Sequence, residues 1–537
     1  MNGWRFALAL VIVTCVAYLP VADAGWIWDD DYYVTENEAL RSVDGLKRIW
    51  TDTSTTPQYY PLTHTSFWLQ YQIWELNPAP YHWLNVLLHV AAALWLWQIL
   101  LALKLPGPRF VALLFALHPV HVESVAWVTE RKNVLCGFFF LLAGWLYLRR
   151  EQPRWSDRLA AFLSYVAALL SKTVAASFPI VLLMVLIWKR RWRRADLTAI
   201  APMLLVGAAL GRITARLEKE QVLAVGPEWD FSFIERWLIA GRAVWFYFTK
   251  LLLPIDLAFV YRRWTLDAGD WKQWAFLIAA FAVLGGTIVW ARKGRPEPLI
   301  AGLFFGVCLG PALGFFNVYP MRYSFVADHF QYLASIAPLT LIGGWLAHRF
   351  RQPLAAVVVC LFAIVLTFQQ ATHYRDAETL WRATIETNPQ AWMAHHNLAH
   401  LLEARGDRSE ARDHYRMATD ANPGLVEAWV GWGTNEIDLG QPQQALQPLQ
   451  RAVDLEPANR VAFYNLALAH QRLENYDRAA ALYTQLVQQA PDMGAAHYNR
   501  AITLFFLNRL DEARAALAAA DRLGVRVDPA FRQALTP

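Results

Sequence analysis

The sequence predicts an all-α protein in two parts: a polytopic membrane helical bundle of about eleven spans, then a soluble superhelix of repeated helix pairs. Three observations lead there. The 537 residues are 56% hydrophobic, with 26 tryptophans and a mean hydropathy of +0.23, too apolar for an ordinary soluble enzyme. Apolar runs alternate with short basic clusters up to about residue 370, the pattern that orients membrane proteins. Beyond that point the character changes. From Ala371 on there are 16 arginines, no lysine and 20 acidic residues, so that part carries −4 and the rest +9 of the net +5. The basic residues punctuate spans and line no one soluble face, which gives a nucleic-acid partner little support, and none is expected.

The first apolar run, Phe6–Pro20, is long enough to enter a bilayer. Arg5 before it and Ala22-Asp23-Ala24 after it also fit a signal peptide, but the many later spans favour a retained helix. Next comes Trp26-Ile27-Trp28-Asp29-Asp30-Asp31-Tyr32-Tyr33, three carboxylates among interfacial aromatics. A polar region to about Pro80 suits short helices at the interface. Further spans fall near 81–103, 109–119, 133–148, 158–171, 174–188, 198–214, 274–291, 298–314, 332–348 and 354–370. Arg149-Arg150, Lys189-Arg190-Arg191, Arg292-Lys293 and His348-Arg349 then share one side, the inner one. Phe231–Pro254 counted as a span would reverse every later loop, so it reads as a re-entrant or interfacial helix. The amino terminus is then inside and the carboxyl terminus outside. The four cysteines lie in apolar stretches without metal-like spacing.

In the second part Pro389, Pro423, Pro457 and Pro491 are 34 residues apart, as are Ala411, Ala445, Ala479 and Ala513. A 34-residue period with small residues at helix contacts and proline at the repeat end is the tetratricopeptide signature. Four helix pairs over roughly 378–522, with 521–537 as a cap, should stack into a superhelix with a concave face. The domain boundary is expected at 373/374. Trp392, Trp429, Trp432, Tyr464 and Tyr498 occupy repeat-helix positions, where core packing is the default over peptide contact.

Chemistry can sit on the outer side, where the span count places Asp29–Asp31 and three more clusters: His118-Pro119-Val120-His121-Val122-Glu123 with Glu130-Arg131-Lys132-Asn133, then Ser171-Lys172, then Arg322-Tyr323 with Asp328-His329 and Tyr332. Carboxylates to take a proton and cations to hold an anion are what moving a group off a lipid phosphate needs. Plainer readings stand beside these. The aspartates can simply end the first helix in water. His118, His121 and Glu123 fit a metal site no better than polar packing at a helix end. Lys172 can snorkel. His82, Asn85 and His89 form a stripe that suits bonds to neighbouring helices.

The order of features resembles the transmembrane and tetratricopeptide-repeat O-mannosyltransferases, membrane glycosyltransferases of the GT-C type. The acidic pair after the first helix, Tyr60-Pro61-Leu62-Thr63, Asn77-Pro78 with Tyr81-His82, Asn85 and His89, the Phe115–Trp127 segment, Leu170-Ser171-Lys172 and the repeats all carry the likeness. It covers nearly the whole chain, and His-Pro-x-His-x-Glu is its most specific membrane motif. Departures fall at Asn133, Thr173 and Asp328-His329, where relatives more often show Asp, Glu or Gln, and Glu-Arg. The resemblance implies a polyprenyl-phosphate-linked sugar as donor and a protein hydroxyl as acceptor, held near the site by the repeats. It assigns the general base to Asp29 or Asp30, and the donor phosphate to Arg131, Lys172, Arg322 and His329. Orientation of donor or acceptor falls to His118, His121, Glu123, Asp328 and Tyr332. A single displacement would invert the anomeric centre. No metal is assigned and nothing compels one, although a divalent ion is compatible.

Two other classes are compatible with this architecture: a lipid-linked oligosaccharide ligase or polymerase, and a non-catalytic membrane-anchored repeat scaffold. The acidic stretch in the first outer loop favours the monosaccharide transferase over the first. A scaffold needs no carboxylates at span ends. A transporter would show paired inverted halves. Abundant Ala and Arg and few Lys in the repeats fit a GC-rich bacterium, which makes the outside a periplasm and the bilayer an inner membrane.

Overall fold

The computed structural model describes residues 2–222, 224, 226–349 and 353–536, and among them there are helices and turns but no strand. The chain divides into two compact units, Met1–Ala383 and Thr384–Pro537.

In the first unit a helix occupies each of the apolar ranges read from the sequence. Four are long and apolar enough to cross a membrane singly: Pro78–Ala102, Arg194–Glu220, Trp271–Arg292 and Leu354–Thr372. Pro108–Ala116 and Pro119–Ala126 qualify together, with a 50° bend between them, and Gly3–Ala17, Thr173–Trp188 and Glu297–Ala312 are shorter apolar helices. Among the described residues, four helices, or five with the bent pair, are long and apolar enough to cross a membrane, against the eleven spans expected. The helix Trp271–Arg292 buries no residue and Leu354–Thr372 very few, as surfaces meeting lipid do. Phe233–Leu252 is a regular helix opened by a capping box of Ser232 and Glu235.

Polar residues join these helices. Asn77 caps Pro78–Ala102 through its side chain, with Pro78 at the first position. One face of that helix then presents His82, Asn85 and His89 at helical spacing. His82 reaches Ala126 O at 2.7 Å and Gly25 O at 3.1 Å, and Asn85 Nδ2 donates to Trp127 O at 3.0 Å. His89 contacts the Tyr332 hydroxyl at 2.8 Å and Ala116 O at 3.1 Å. The stripe therefore pins the loop after the first helix and the bent pair to one framework.

In the second unit four helix pairs follow in register: Trp392–Arg405 with Arg408–Ala421, Val426–Asp438 with Pro442–Leu455, Arg460–Arg472 with Tyr476–Gln489, and Gly494–Phe506 with Leu510–Arg522. Ala411, Ala445, Ala479 and Ala513 are fully buried at the helix crossings. The four periodic prolines each occupy the turn before the next pair, where no helical N–H is lost. Phe531 and Leu535, from the short helix Pro529–Ala534 and the residue after it, close the last pair's core.

Candidate active site

The residues Ile27–Asp30 form a tight turn in which Trp28 takes a positive φ of 44°. A bulky residue held there signals a site where the surroundings dictate the backbone. Trp28 is clamped between Trp127, ring centroids 5.6 Å apart and stacked, and Phe259 at 5.2 Å. The two neighbouring aspartates have different environments. Asp30 is fully buried, and its carboxylate accepts from Ile27 N at 3.0 Å, Thr129 N at 2.9 Å and the Thr129 hydroxyl at 2.6 Å. Burial pushes Asp30 up to about 7, against those three bonds, which favour the anion. Asp29 has no hydrogen-bond or ion-pair partner for its side chain among the described residues, and it lines a cavity of about 1340 Å³. Burial pushes its carboxyl up to about 6, with Lys132 pulling the other way.

Across that cavity one carboxylate holds two lysines. Glu130, almost fully buried, has Lys132 Nζ 3.0 Å from Oε1 and Lys172 Nζ 3.2 Å from Oε2. Burial pushes Glu130 up, but His329, Lys132 and Lys172 outweigh it and hold the carboxyl well below its usual range. Lys132 also sits over the Tyr33 ring, 4.9 Å from its centroid. His329 Nε2 lies 4.0 Å from Glu130, while its Nδ1 and backbone N are fixed on Glu123 at 2.9 and 2.8 Å. Asp29, Glu123, Glu130, Lys132, Lys172, His329 and Tyr332 all line this cavity. Ile213, Cys308, Phe315 and Phe316 add apolar surface to its lining, beside further charged residues that include Arg212, Arg216, Glu218 and Arg236.

Of the other sequence-derived site residues, Arg131, His118, His121, Asp328 and Arg322 lie outside the cavity lining, and Tyr332 lines it with its hydroxyl already engaged. Arg131 is fully buried behind the cavity, where its guanidinium donates to Asn85, to Gln70 Oε1 at 2.7 Å and to Tyr81 O at 2.8 Å. The cavity-facing cation is its neighbour, Lys132. His118 and His121 are a helix-break cap and a brace: His118 contacts Leu251 O at 3.1 Å and accepts from Val120 N, and His121 contacts Phe115 O at 2.8 Å and the Ser335 hydroxyl at 2.9 Å. Asp328 accepts from the Tyr261 hydroxyl at 2.9 Å and is not in the cavity wall. Tyr332 spends its hydroxyl on His89. Arg322 pairs with Glu228 at 3.2 Å and donates to the Tyr319 hydroxyl at 3.0 Å, beside the cavity and outside its lining. Sequence reasoning named the Glu130–Asn133 cluster without singling out Glu130 or Lys132, and it missed Gln58 and Glu218. No group of three metal-ligating side chains occurs among the described residues.

A family model described as tetratricopeptide repeat matches residues 362–426 and 464–524. The protein O-mannosyl-transferase TMTC3 of Mus musculus is 24% identical, over 93% of this chain and 62% of its own length. The human protein O-mannosyl-transferase TMTC4 is also 24% identical, over 75% of this chain and 64% of its own. Its homologues are protein O-mannosyl-transferases. The chain spans a little under two thirds of the length of these relatives. Among solved structures, YrrB, a TPR protein with an unusual peptide-binding site, aligns at 21% identity and a TM-score of 0.27, over 32% of this chain and 85% of its own.

Proposed function

We propose that the protein is a multi-pass membrane glycosyltransferase of the GT-C type. It transfers mannose or a similar monosaccharide from a polyprenyl-phosphate donor to Ser or Thr hydroxyls of a protein acceptor. One observation carries the reading: an Asp29 carboxylate without a hydrogen-bond or ion-pair partner among the described residues shares a cavity with a lysine pair, and part of that cavity's lining is apolar. Asp29 takes the proton from the acceptor hydroxyl, and the acceptor oxygen forms a bond to the anomeric carbon. The bond from that carbon to the phosphate oxygen breaks on the opposite face, so the configuration inverts. The electron pair leaves with the phosphate, whose charge Lys132 and Lys172 receive. Asp30 does not touch substrate in this scheme. It fixes the turn that presents Asp29. His329 steadies Glu130 and borders the phosphate subsite, and Glu123 orients His329. The apolar part of the lining accepts the start of the polyprenyl chain.

The eleven-span topology of the sequence reading belongs to this proposal, as does the placement of site and repeats on the outer side, the periplasm in a bacterial inner membrane. The repeats hold the acceptor chain nearby and raise its effective concentration. Intact-mass comparison of surface proteins from cells with and without the gene tests the activity. The proposal expects hexose-sized increments that vanish with the gene. Unchanged masses, with the protein expressed, contradict it.

A further inference from the structure

Glu218 is a carboxylate with no structural excuse. It sits in the last turn of the helix Leu197–Glu220, the end where the helix dipole disfavours an anion. It is only 8% exposed. Gln58 Nε2 donates to its Oε1 at 2.6 Å and the Tyr319 backbone lies close enough to interact with the carboxylate, but Oε2 is buried with no hydrogen-bond partner among the described residues. Burying a charged acceptor unsatisfied is costly, and in a native structure such a group calls for an explanation; here the open oxygen belongs to a residue of the cavity lining. Glu218 lines the same cavity as Asp29 and the lysines. A chain of contacts fixes its place relative to them: Lys132 lies over the Tyr33 ring, the Tyr33 hydroxyl donates to Gln58 Oε1 at 3.0 Å, and Gln58 donates to Glu218.

We propose that Glu218, held by Gln58, is the residue that reads the hydroxyl groups of the transferred sugar. This rests on the transferase reading above and adds the specificity element. A donor whose phosphate lies on Lys132 and Lys172 has its sugar ring attached directly to that phosphate. The groups it can offer at that range are hydroxyls, which donate. Oε2 has its acceptor capacity unused, and Oε1 keeps one lone pair beyond the Gln58 bond, so vicinal hydroxyls can reach one carboxylate. A sugar lacking the hydroxyl leaves Oε2 buried and unpaired, which is the strongest form of rejection by a polar site.

The test uses the full-length protein, a Ser/Thr peptide, polyprenyl-phosphate mannose and the monodeoxy forms of that donor. The wild type should favour mannose over at least one monodeoxy donor by about tenfold to a hundredfold in kcat/KM. In Glu218→Ala that ratio should fall to about one, by loss of rate with mannose and not with the deoxy sugar. The kept rate with the deoxy donor shows that the variant is folded. Glu218→Gln, of the same shape, should shrink the ratio in the same direction. Unchanged ratios overturn the assignment and leave the transferase reading standing, as does an equal loss with every donor. A wild type that uses none of these donors overturns both.

Discussion

At the scale of residues, the two aspartates at the first turn do different work because their lone pairs are differently spent. Asp30 gives its oxygens to Ile27 and Thr129, whereas Asp29 has its own available to a substrate. A base raised to about 6 is deprotonated above that pH and protonated below it. Transfer measured as kcat/KM should therefore fall about tenfold per pH unit below 6 and level off above it. Lys172 sets the other limb: burial lowers its pKa, against Glu130, so activity should decline at a pH below that of an ordinary lysine. Asp30→Asn should lower the rate through a loosened turn, shift the acid limb, and reduce stability by about 1–3 kcal/mol in thermal unfolding, because the Ile27 and Thr129 amides lose their charged acceptor. That Asp29, Lys172, Glu123 and His329 gather at one cavity was legible in the sequence because acidic, basic and His-Pro-x-His-x-Glu motifs mark span ends. Glu218 was not, because its meaning lies in an unpaired oxygen and in Gln58, 160 positions away.

At the scale of elements, the start of the helix Arg131–Leu148 explains the sharpest difference between expectation and structure. Successive helical residues point about 100° apart, so Arg131 and Lys132 leave this helix in different directions. Nothing in a pair of adjacent cations says which one faces the cavity. The structure turns Lys132 inward to the cavity and Arg131 into Asn85, Gln70 and Tyr81. The two should separate experimentally. Arg131→Met leaves those buried acceptors without donors and should cost about 3 kcal/mol of stability. Lys132→Met should keep the fold and raise KM for the lipid donor. The histidine pair His118 and His121 has a similar lesson: a spacing compatible with metal ligation here serves a 50° bend at Pro119. The repeats were the most legible elements, since burial of one alanine per 34 residues leaves a periodic trace. Packing there is close enough to test. A Cβ at Gly433 would collide with the Leu449 side chain, so Gly433→Val should destabilise the repeat unit by about 1–3 kcal/mol in chemical unfolding.

At the scale of the whole molecule, the first unit holds the cavity and the second holds the repeats; the proposed function gives the repeats the acceptor chain to hold. The sequence predicts eleven spans, and among the described residues four helices, or five with the bent pair, are long and apolar enough to cross a membrane. Several apolar stretches are interrupted by proline or by polar caps, so a run of apolar residues splits into shorter helices. Removing the residues after 383 should impair modification of protein acceptors and leave donor-lipid binding in place; equal loss of both would show that the repeats are not an acceptor platform. The central claim is that Asp29 is the base of a lipid-phosphate sugar transferase. Its most direct test follows radiolabelled mannose from polyprenyl phosphate to a Ser/Thr peptide, with the purified full-length protein and its Asp29→Asn variant. The variant should bind the donor as the wild type does and transfer it about 10²–10⁴-fold more slowly. Equal transfer rates for the two proteins would contradict the account.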